Sequence, residues 1–193
     1  RCNVVVLVLR FRLKMKHLLI TTIAAVVLVG CGKPQPPDIS LFKAAGNGNL
    51  EAVKQHIAAG TDIDQTDPKP EGNNDSCLGI SIAFGRSEVA IALIDAGADL
   101  SHKNKNGTTP LHIASFLCYP DITQALIDKG ADKNARDNEG GTPLEGVLLP
   151  WDQAKGIYDF LNGVIYKPLG VPLDYNRIKS NRPKIVSILK SHG

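Results

Sequence analysis

The sequence predicts an all-α solenoid of about four helix-turn-helix repeats joined by β-hairpin loops, with an insertion of about 30 residues in the last repeat. The first observation behind this fold class is a period of 33 residues, because residues 109–112 read TPLH and residues 142–145 read TPLE. The second is the recurrence of GAD at 97–99 and 130–132, again 33 residues apart. Because one such unit cannot bury its apolar face alone, neighbouring units are expected to stack around a continuous core.

The third repeat shows the helix signals most clearly. Thr109 suits the N-cap of a first helix, and Pro110 suits the first helical position, where a missing N–H costs nothing. Leu111 and Ala114 lie three residues apart, so both are expected to face the core. Gly130 follows the second helix, where the chain must turn with a positive φ. Applied along the chain, these signals predict first helices near 40–47, 76–84, 109–117 and 142–149, and second helices near 50–58, 87–95, 121–129 and 183–191.

Turn residues indicate where one repeat passes into the next. Residues 106–107 and 138–140 combine asparagine with glycine and are typical of hairpin turns. The domain is expected to cover 39–193, with repeats at approximately 39–71, 72–104, 105–137 and 138–193.

The period and these residues together resemble ankyrin repeats, whose signature includes Thr-Pro-Leu-His-x-Ala and Gly-Ala-Asp at this spacing. The resemblance extends from about residue 39 onward, and the fourth repeat departs from the pattern at Pro150. It implies a non-catalytic module that binds proteins, and it implies a structural hydrogen-bonding role for His112 rather than a catalytic one.

In the family, partners usually contact the hairpin tips and the first-helix positions that follow the alanine pair. In this sequence those positions are Lys103, Lys105, Asn106, Thr108, Arg136, Asn138 and Glu139 on the hairpins, and Ala83, Phe84, Phe116 and Leu117 on the helices. The sequence leaves two roles open for Phe84 and Phe116, which either contact a partner or only cover the core.

Residues 150–181 are the expected insertion. The segment holds half of the chain's ten aromatic residues, namely Trp151, Tyr158, Phe160, Tyr166 and Tyr175. Two interpretations stay open, because these side chains either cap the end of the last repeat or recognise a partner, with Trp151 as a candidate contact. Residues 151–162 are compatible with a helix, whereas Pro168 argues against its continuation.

The N-terminal part of the chain has the layout of an export signal. Residues 15–31 read MKHLLITTIAAVVLVGC, a basic start followed by an apolar run and small residues. The apolar run is shorter than the roughly 20 residues that a membrane-spanning helix needs. The final LVGC resembles the lipobox of bacterial lipoproteins, which implies lipidation of Cys31; an ordinary signal peptide or one buried helix are the alternatives. We therefore expect mistranslated upstream sequence at 1–14, a signal peptide at 15–30 and a lipidated tether at 31–38.

Charge and motif content argue against nucleic-acid binding and catalysis. From Cys31 onward the chain carries 17 Lys and Arg against 19 Asp and Glu, so its formal charge is −2 and it lacks the basic excess of a nucleic-acid-binding domain. No serine or cysteine stands in a nucleophile motif, and the histidines lack metal-ligand spacing. We expect no enzyme activity, no cofactor and no metal. Cys77 and Cys118 are expected to be buried free thiols, because stacked helices would hold them about 12 Å apart, beyond the roughly 7 Å that a disulfide allows.

These features together predict a monomeric envelope lipoprotein that binds an unidentified protein through its concave face or its aromatic insert. Gly32 after the cysteine favours the outer membrane, with the domain facing the periplasm. One alternative is an immunity protein that neutralises a periplasmic toxin or lipase. Others are a stress factor that scaffolds a periplasmic enzyme and an enzyme with its site in the insert.

Overall fold

Pairs of helices stacked side by side make up the part of the chain that the computed structural model describes, residues 34–69 and 71–191. The first helices of the four repeats are α1 (Leu41–Asn47), α3 (Cys77–Ala83), α5 (Pro110–Phe116) and α7 (Pro143–Leu148). The second helices are α2 (Leu50–Ala59), α4 (Ser87–Asp95), α6 (Pro120–Asp128) and α9 (Tyr175–Ser191). Between α7 and α9 lie α8 (Trp151–Leu161) and a π-helical turn (Asn162–Tyr166). The described residues contain no β-strand, and the expected all-α solenoid is confirmed.

The first and second helices form two layers. In one layer α1 packs on α3, α3 on α5 and α5 on α7; in the other α2 packs on α4, α4 on α6 and α6 on α9. The core lies between the layers, where Leu78 and Leu111 occupy equivalent positions one repeat apart and are almost completely buried. Full burial of one such side chain contributes roughly 1.5–3 kcal/mol, so the repeated leucine is a main source of stability.

Local side-chain caps explain where the first helices begin. Thr109 and Thr142 each accept the backbone N–H of the third helical residue, and the side chains of His112 and Glu145 return the bond to the threonine N–H. This reciprocal arrangement satisfies two backbone donors that the helix itself leaves unpaired. Pro110 stands at the first helical position, as the sequence predicts.

The turn between the two helices of each repeat requires a left-handed residue. Gly85 takes this position in the second repeat with φ 65°, and Cys118 takes it in the third with φ 56°. A non-glycine residue is uncommon in this region. The turn makes the carbonyl group of Cys118 available to the insert, as described below.

The second helix of the fourth repeat is longer than predicted. It begins at Tyr175 rather than near residue 183, so the expected start and the expected end of the insertion at 181 are wrong. Asp174 caps the extension by accepting the Arg177 N–H at 3.0 Å. Pro183 therefore lies inside the helix, where it removes one backbone donor. The expected helix over 151–162 is confirmed by α8.

The candidate lipidation site Cys31 and the expected segments at 1–14 and 15–30 lie outside the described residues. Among the residues that are described, no helix is both long and apolar enough to cross a bilayer.

Candidate binding groove

The hairpins of the third and fourth repeats stack directly on each other. Within the third hairpin, the Asn104 N–H donates to the Thr108 carbonyl at 3.2 Å. Asn138 joins the two hairpins, because its backbone N–H donates to the Asn106 carbonyl at 3.1 Å and its side-chain amide donates to the Lys105 carbonyl at 2.8 Å. The hairpins thus form a continuous wall along one side of the repeats.

A groove of about 690 Å³ lies inside this wall. We call it the hairpin–insert groove, because hairpins form one side and the insert forms the other. Three hairpin positions recur along the wall at 33-residue spacing: Asn104, Asn106 and Thr108 in the third repeat, and Asp137, Glu139 and Gly141 in the fourth. The alternation in each set reflects the period of two in an extended chain.

Only part of the predicted hairpin contacts lines the groove. Asn106, Thr108 and Glu139 do. Lys103, Lys105, Arg136 and Asn138 are not among the lining residues. The Lys103 ammonium donates to the Arg136 carbonyl at 2.8 Å, and the Arg136 guanidinium donates to the Gly140 carbonyl at 2.5 Å, so these cations hold hairpin backbone.

Apolar side chains of the first helices form the floor of the groove. Ile80 and Phe84 come from α3 and its C-cap, and Ile113 and Phe116 come from α5. All four are partly buried and pack against the hydrophobic core. Leu117 was expected to contact a partner, and this expectation is wrong, because Leu117 at the C-cap of α5 is a core residue with only 2% of its surface exposed.

The insert covers the open side of the first helices. Tyr158 is completely buried, with its ring centroid 4.6 Å from that of Phe116 and its hydroxyl donating to the Phe116 carbonyl at 2.5 Å. Burial raises the pKa of Tyr158 well above its ordinary range, so the hydroxyl stays a donor at neutral pH. Tyr166 meets the Phe84 ring edge-on at 6.2 Å. The aromatic residues of insert and floor therefore pack on each other, and Leu161 and Ile165 complete the groove.

Trp151 is held beside the groove rather than within it. Its ring lies 6.0 Å from that of Tyr158, and the cationic groups of Lys179 and Arg182 lie 5.5 and 5.8 Å from its centroid. Arg182 also donates to the carbonyl groups of Val147 and Leu149 at the end of α7. A cation at the C-terminal end of a helix is electrostatically favourable, so Trp151 takes part in the contact between α8, α9 and the end of α7.

A second anchor joins α9 to the left-handed turn of the third repeat. Arg177 and Asn181 donate to the Cys118 carbonyl at 2.8 and 3.2 Å. The Arg177 guanidinium also stacks 4.3 Å from the centroid of the Tyr119 ring. These contacts explain why α9 starts before residue 183, since its added turns bind the preceding repeat.

Carboxylates dominate the charge of the groove. Asp75, Asp137, Glu139 and Glu145 line it, and its lining contains no lysine or arginine. The Thr142 N–H and hydroxyl, at 2.8 and 3.0 Å from the carboxylate, lower the pKa of Glu145. Sequence reasoning missed Asp75, Asp137 and Glu145. Alternation from Asn106, combined with the 33-residue period, would have identified Asp137 and Glu139 together.

His112 has the structural role that the resemblance implies. The Thr109 N–H donates to its Nδ1 at 3.2 Å, which leaves Nε2 as the protonated nitrogen that donates to the Gly141 carbonyl at 3.2 Å. The imidazole thus joins the cap of α5 to the next hairpin.

The described residues present no recognisable catalytic centre. Cys77 and Cys118 are buried free thiols, as expected, and burial raises their pKa to about 12 and about 11. Thiols in this state are poor nucleophiles at neutral pH. Within the described ranges, no group of three or more His, Cys, Asp or Glu side chains is placed to hold a metal ion.

Comparison with known proteins bears on the repeat array and not on the insert. Residues 41–137, just over half of the 193-residue chain, match the family model described as Ankyrin repeats (3 copies). The match covers α1 to α6 and ends before α7. No curated protein matches the chain.

Proposed function

Because this chain belongs to the ankyrin-repeat family, whose repeats are generally protein–protein interaction modules, we propose that it binds a protein partner without catalysis and that the partner occupies the hairpin–insert groove. The observation that carries this proposal is the groove itself, which combines an apolar floor with a polar wall of hairpins. Such a combination is typical of binding sites, where apolar surface supplies affinity and polar groups fix orientation.

The dimensions of the groove support a peptide segment as its occupant. The lining extends from Ile80 on α3, past α5, to Glu145 on α7. Three helices packed at roughly 8–10 Å between axes span about 20 Å. An extended chain covers roughly 3.3–3.6 Å per residue, so the groove accommodates about six residues of a partner.

Crosslinking at two adjacent residues of the insert tests this proposal. Ile165 lines the groove and is 40% exposed, whereas Val164 is 55% exposed and is not among the lining residues. A photoreactive amino acid placed at 165 should crosslink to a partner in cells, and the same group at 164 should not. Once the partner is identified, Ile165→Asp should weaken binding at least tenfold while Val164→Asp leaves it unchanged. Equal crosslinking at both positions would refute a partner inside the groove.

We further propose that the domain is anchored in the cell envelope through a lipid on Cys31. The support is the LVGC sequence at the end of a short apolar run. Residues 32–38 would then reach about 23 Å at roughly 3.3 Å per residue, and the domain would stay close to the membrane, facing the periplasm.

Metabolic labelling with an alkyne-tagged fatty acid tests the anchor. The wild-type protein should carry the label and sediment with membranes, and Cys31→Ser should lose both properties. Cys77→Ser is the matched control, because Cys77 is buried in the repeat core and should not affect labelling. An unlabelled wild-type protein would overturn the proposed anchor.

A further inference from the structure

We infer that the segment bound in the hairpin–insert groove carries a lysine or arginine flanked by aliphatic side chains. This inference rests on the proposed function, since it names the chemistry of the partner that the groove accepts. It follows from the charge of the rim taken together with the apolar floor.

The rim carries negative charge along the whole groove. Asp75 lies at the hairpin of the second repeat, Asp137 and Glu139 lie at the hairpin of the fourth, and Glu145 lies on α7. Glu139 is exposed near the hairpin tip. A cation placed among these groups interacts favourably with several of them, whereas an acidic segment is repelled by all of them.

No cation of the groove lining neutralises this charge. The lining contains no lysine or arginine, and its single histidine already bonds Thr109 and the Gly141 carbonyl. The nearby basic residues of the hairpins point their charged groups at backbone: Lys103 bonds the Arg136 carbonyl, and Arg136 bonds the Gly140 carbonyl. A partner must therefore supply the positive charge.

The other carboxylates are held by the protein in fixed positions. Asp75 accepts the Asn104 side-chain amide at 2.8 Å, and Asp137 accepts the N–H groups of Glu139 and Gly141 at 3.0 and 2.8 Å. Carboxylates held in this way present their charge without an ordering cost on binding, which favours affinity for a complementary group.

The floor and the insert select what accompanies the charge. Ile80, Ile113 and Phe116 lie below the rim, and Leu161 and Ile165 face them from the insert. The long aliphatic stem of a lysine or arginine covers apolar surface while its charged head reaches the rim. Neighbouring aliphatic residues of the same segment would fill the remaining apolar surface and release water from it.

Selection from a peptide library tests the inference. A phage-displayed library of random 12-residue peptides is panned against the immobilised full chain. The enriched peptides should contain Lys or Arg next to Leu, Ile or Val, and should be depleted in Asp and Glu. The Kd of the most enriched peptide, made synthetically, should rise at least tenfold on Glu139→Lys and should rise with added NaCl, because salt screens the rim charge.

Charge reversal on both sides identifies the rim as the cause. A peptide with its basic residue changed to glutamate should bind Glu139→Lys better than it binds the wild type. Glu88→Lys is the matched control, since Glu88 is exposed in the first turn of α4 and does not line the groove. It should leave the Kd within twofold.

The outcomes separate the inference from the function on which it rests. Enriched peptides that are acidic or neutral, yet lose binding on Ile165→Asp, would overturn the inference and leave the groove as the binding site. Peptides whose binding ignores Ile165→Asp, or a library that yields no binder, would overturn the proposed function and the inference together.

Discussion

Tyr158→Ala should detach the insert and reduce the stability of the whole repeat array. Tyr158 is completely buried, its ring stacks on Phe116, and its hydroxyl bonds the Phe116 carbonyl. Truncation of a buried aromatic side chain to alanine costs about 3–5 kcal/mol. In a domain of this size each kcal/mol lowers the Tm by roughly 2–4 °C, so the Tm should fall by roughly 6–20 °C.

Urea unfolding followed by two probes measures this effect. Circular dichroism at the helix band reports on all helices, and the fluorescence of Trp151, the chain's one tryptophan, reports on the insert because its ring lies 6.0 Å from Tyr158. In the wild type the two transitions should coincide, as expected for one cooperative unit. Tyr158→Phe is the control, because it keeps the ring and removes only the hydroxyl bond. It should cost about 1–2 kcal/mol for the carbonyl left without its donor.

Two results would refute this reasoning. One is a change of less than about 1 kcal/mol on Tyr158→Ala, which would mean that the ring is not part of the core. The other is a Trp151 transition in the wild type well below the circular dichroism transition, which would mean that the insert unfolds separately from the repeats.

Two further predictions concern the hairpins and the thiols. Gly107→Ala should destabilise by at least about 1 kcal/mol, because Gly107 has φ +74° and an added Cβ would lie 2.4 Å from an oxygen of the next hairpin. Gly156→Ala should instead stabilise by about 0.5–1 kcal/mol, since Gly156 lies inside α8 with open space around it; the same sign for both in urea unfolding would contradict the assignment of the two glycines. Cys77 and Cys118 should resist iodoacetamide at pH 8 in the folded protein and react once it is unfolded, as peptide mass spectrometry would show. Because burial raises their pKa from 9.0 to about 12 and about 11, their contribution to stability is complete below about pH 9 and is lost as the pH rises through those values; rapid alkylation of the folded protein at pH 8 would contradict this burial.

The helices of the repeats could be predicted because their signals are local. Thr109 caps a helix that starts one residue later, and Thr142 does the same one period on. Each cap bond joins residues three apart, so neither depends on the rest of the fold. Repetition of the pattern then placed α1 to α7 correctly.

The insert and the groove could not be predicted in the same way, because their contacts are distant in the sequence. The bond from Tyr158 to Phe116 spans 42 residues, and the bond from Arg177 to Cys118 spans 59. Helix-boundary signals carry no information about such pairs, so sequence reasoning left open whether the aromatics cap the repeats or bind a partner. It also placed Leu117 on the surface, because equivalence with Phe84 fixes a position in the repeat but not how deeply that position is buried.

The contacts of the insert fix the number of repeats as well as their stability. Tyr166 reaches Phe84 of the second repeat, Tyr158 reaches Phe116 of the third, and Arg182 reaches the end of α7 in the fourth. A duplication that placed an extra repeat between any of these three would separate partners by a full repeat and break at least one contact. The first repeat has no such tie: Arg86 bonds only its immediate neighbour at the Gly46 carbonyl. Gene duplication or repeat engineering should therefore lengthen this array at its N-terminal end, while its last three repeats stay a unit of fixed count.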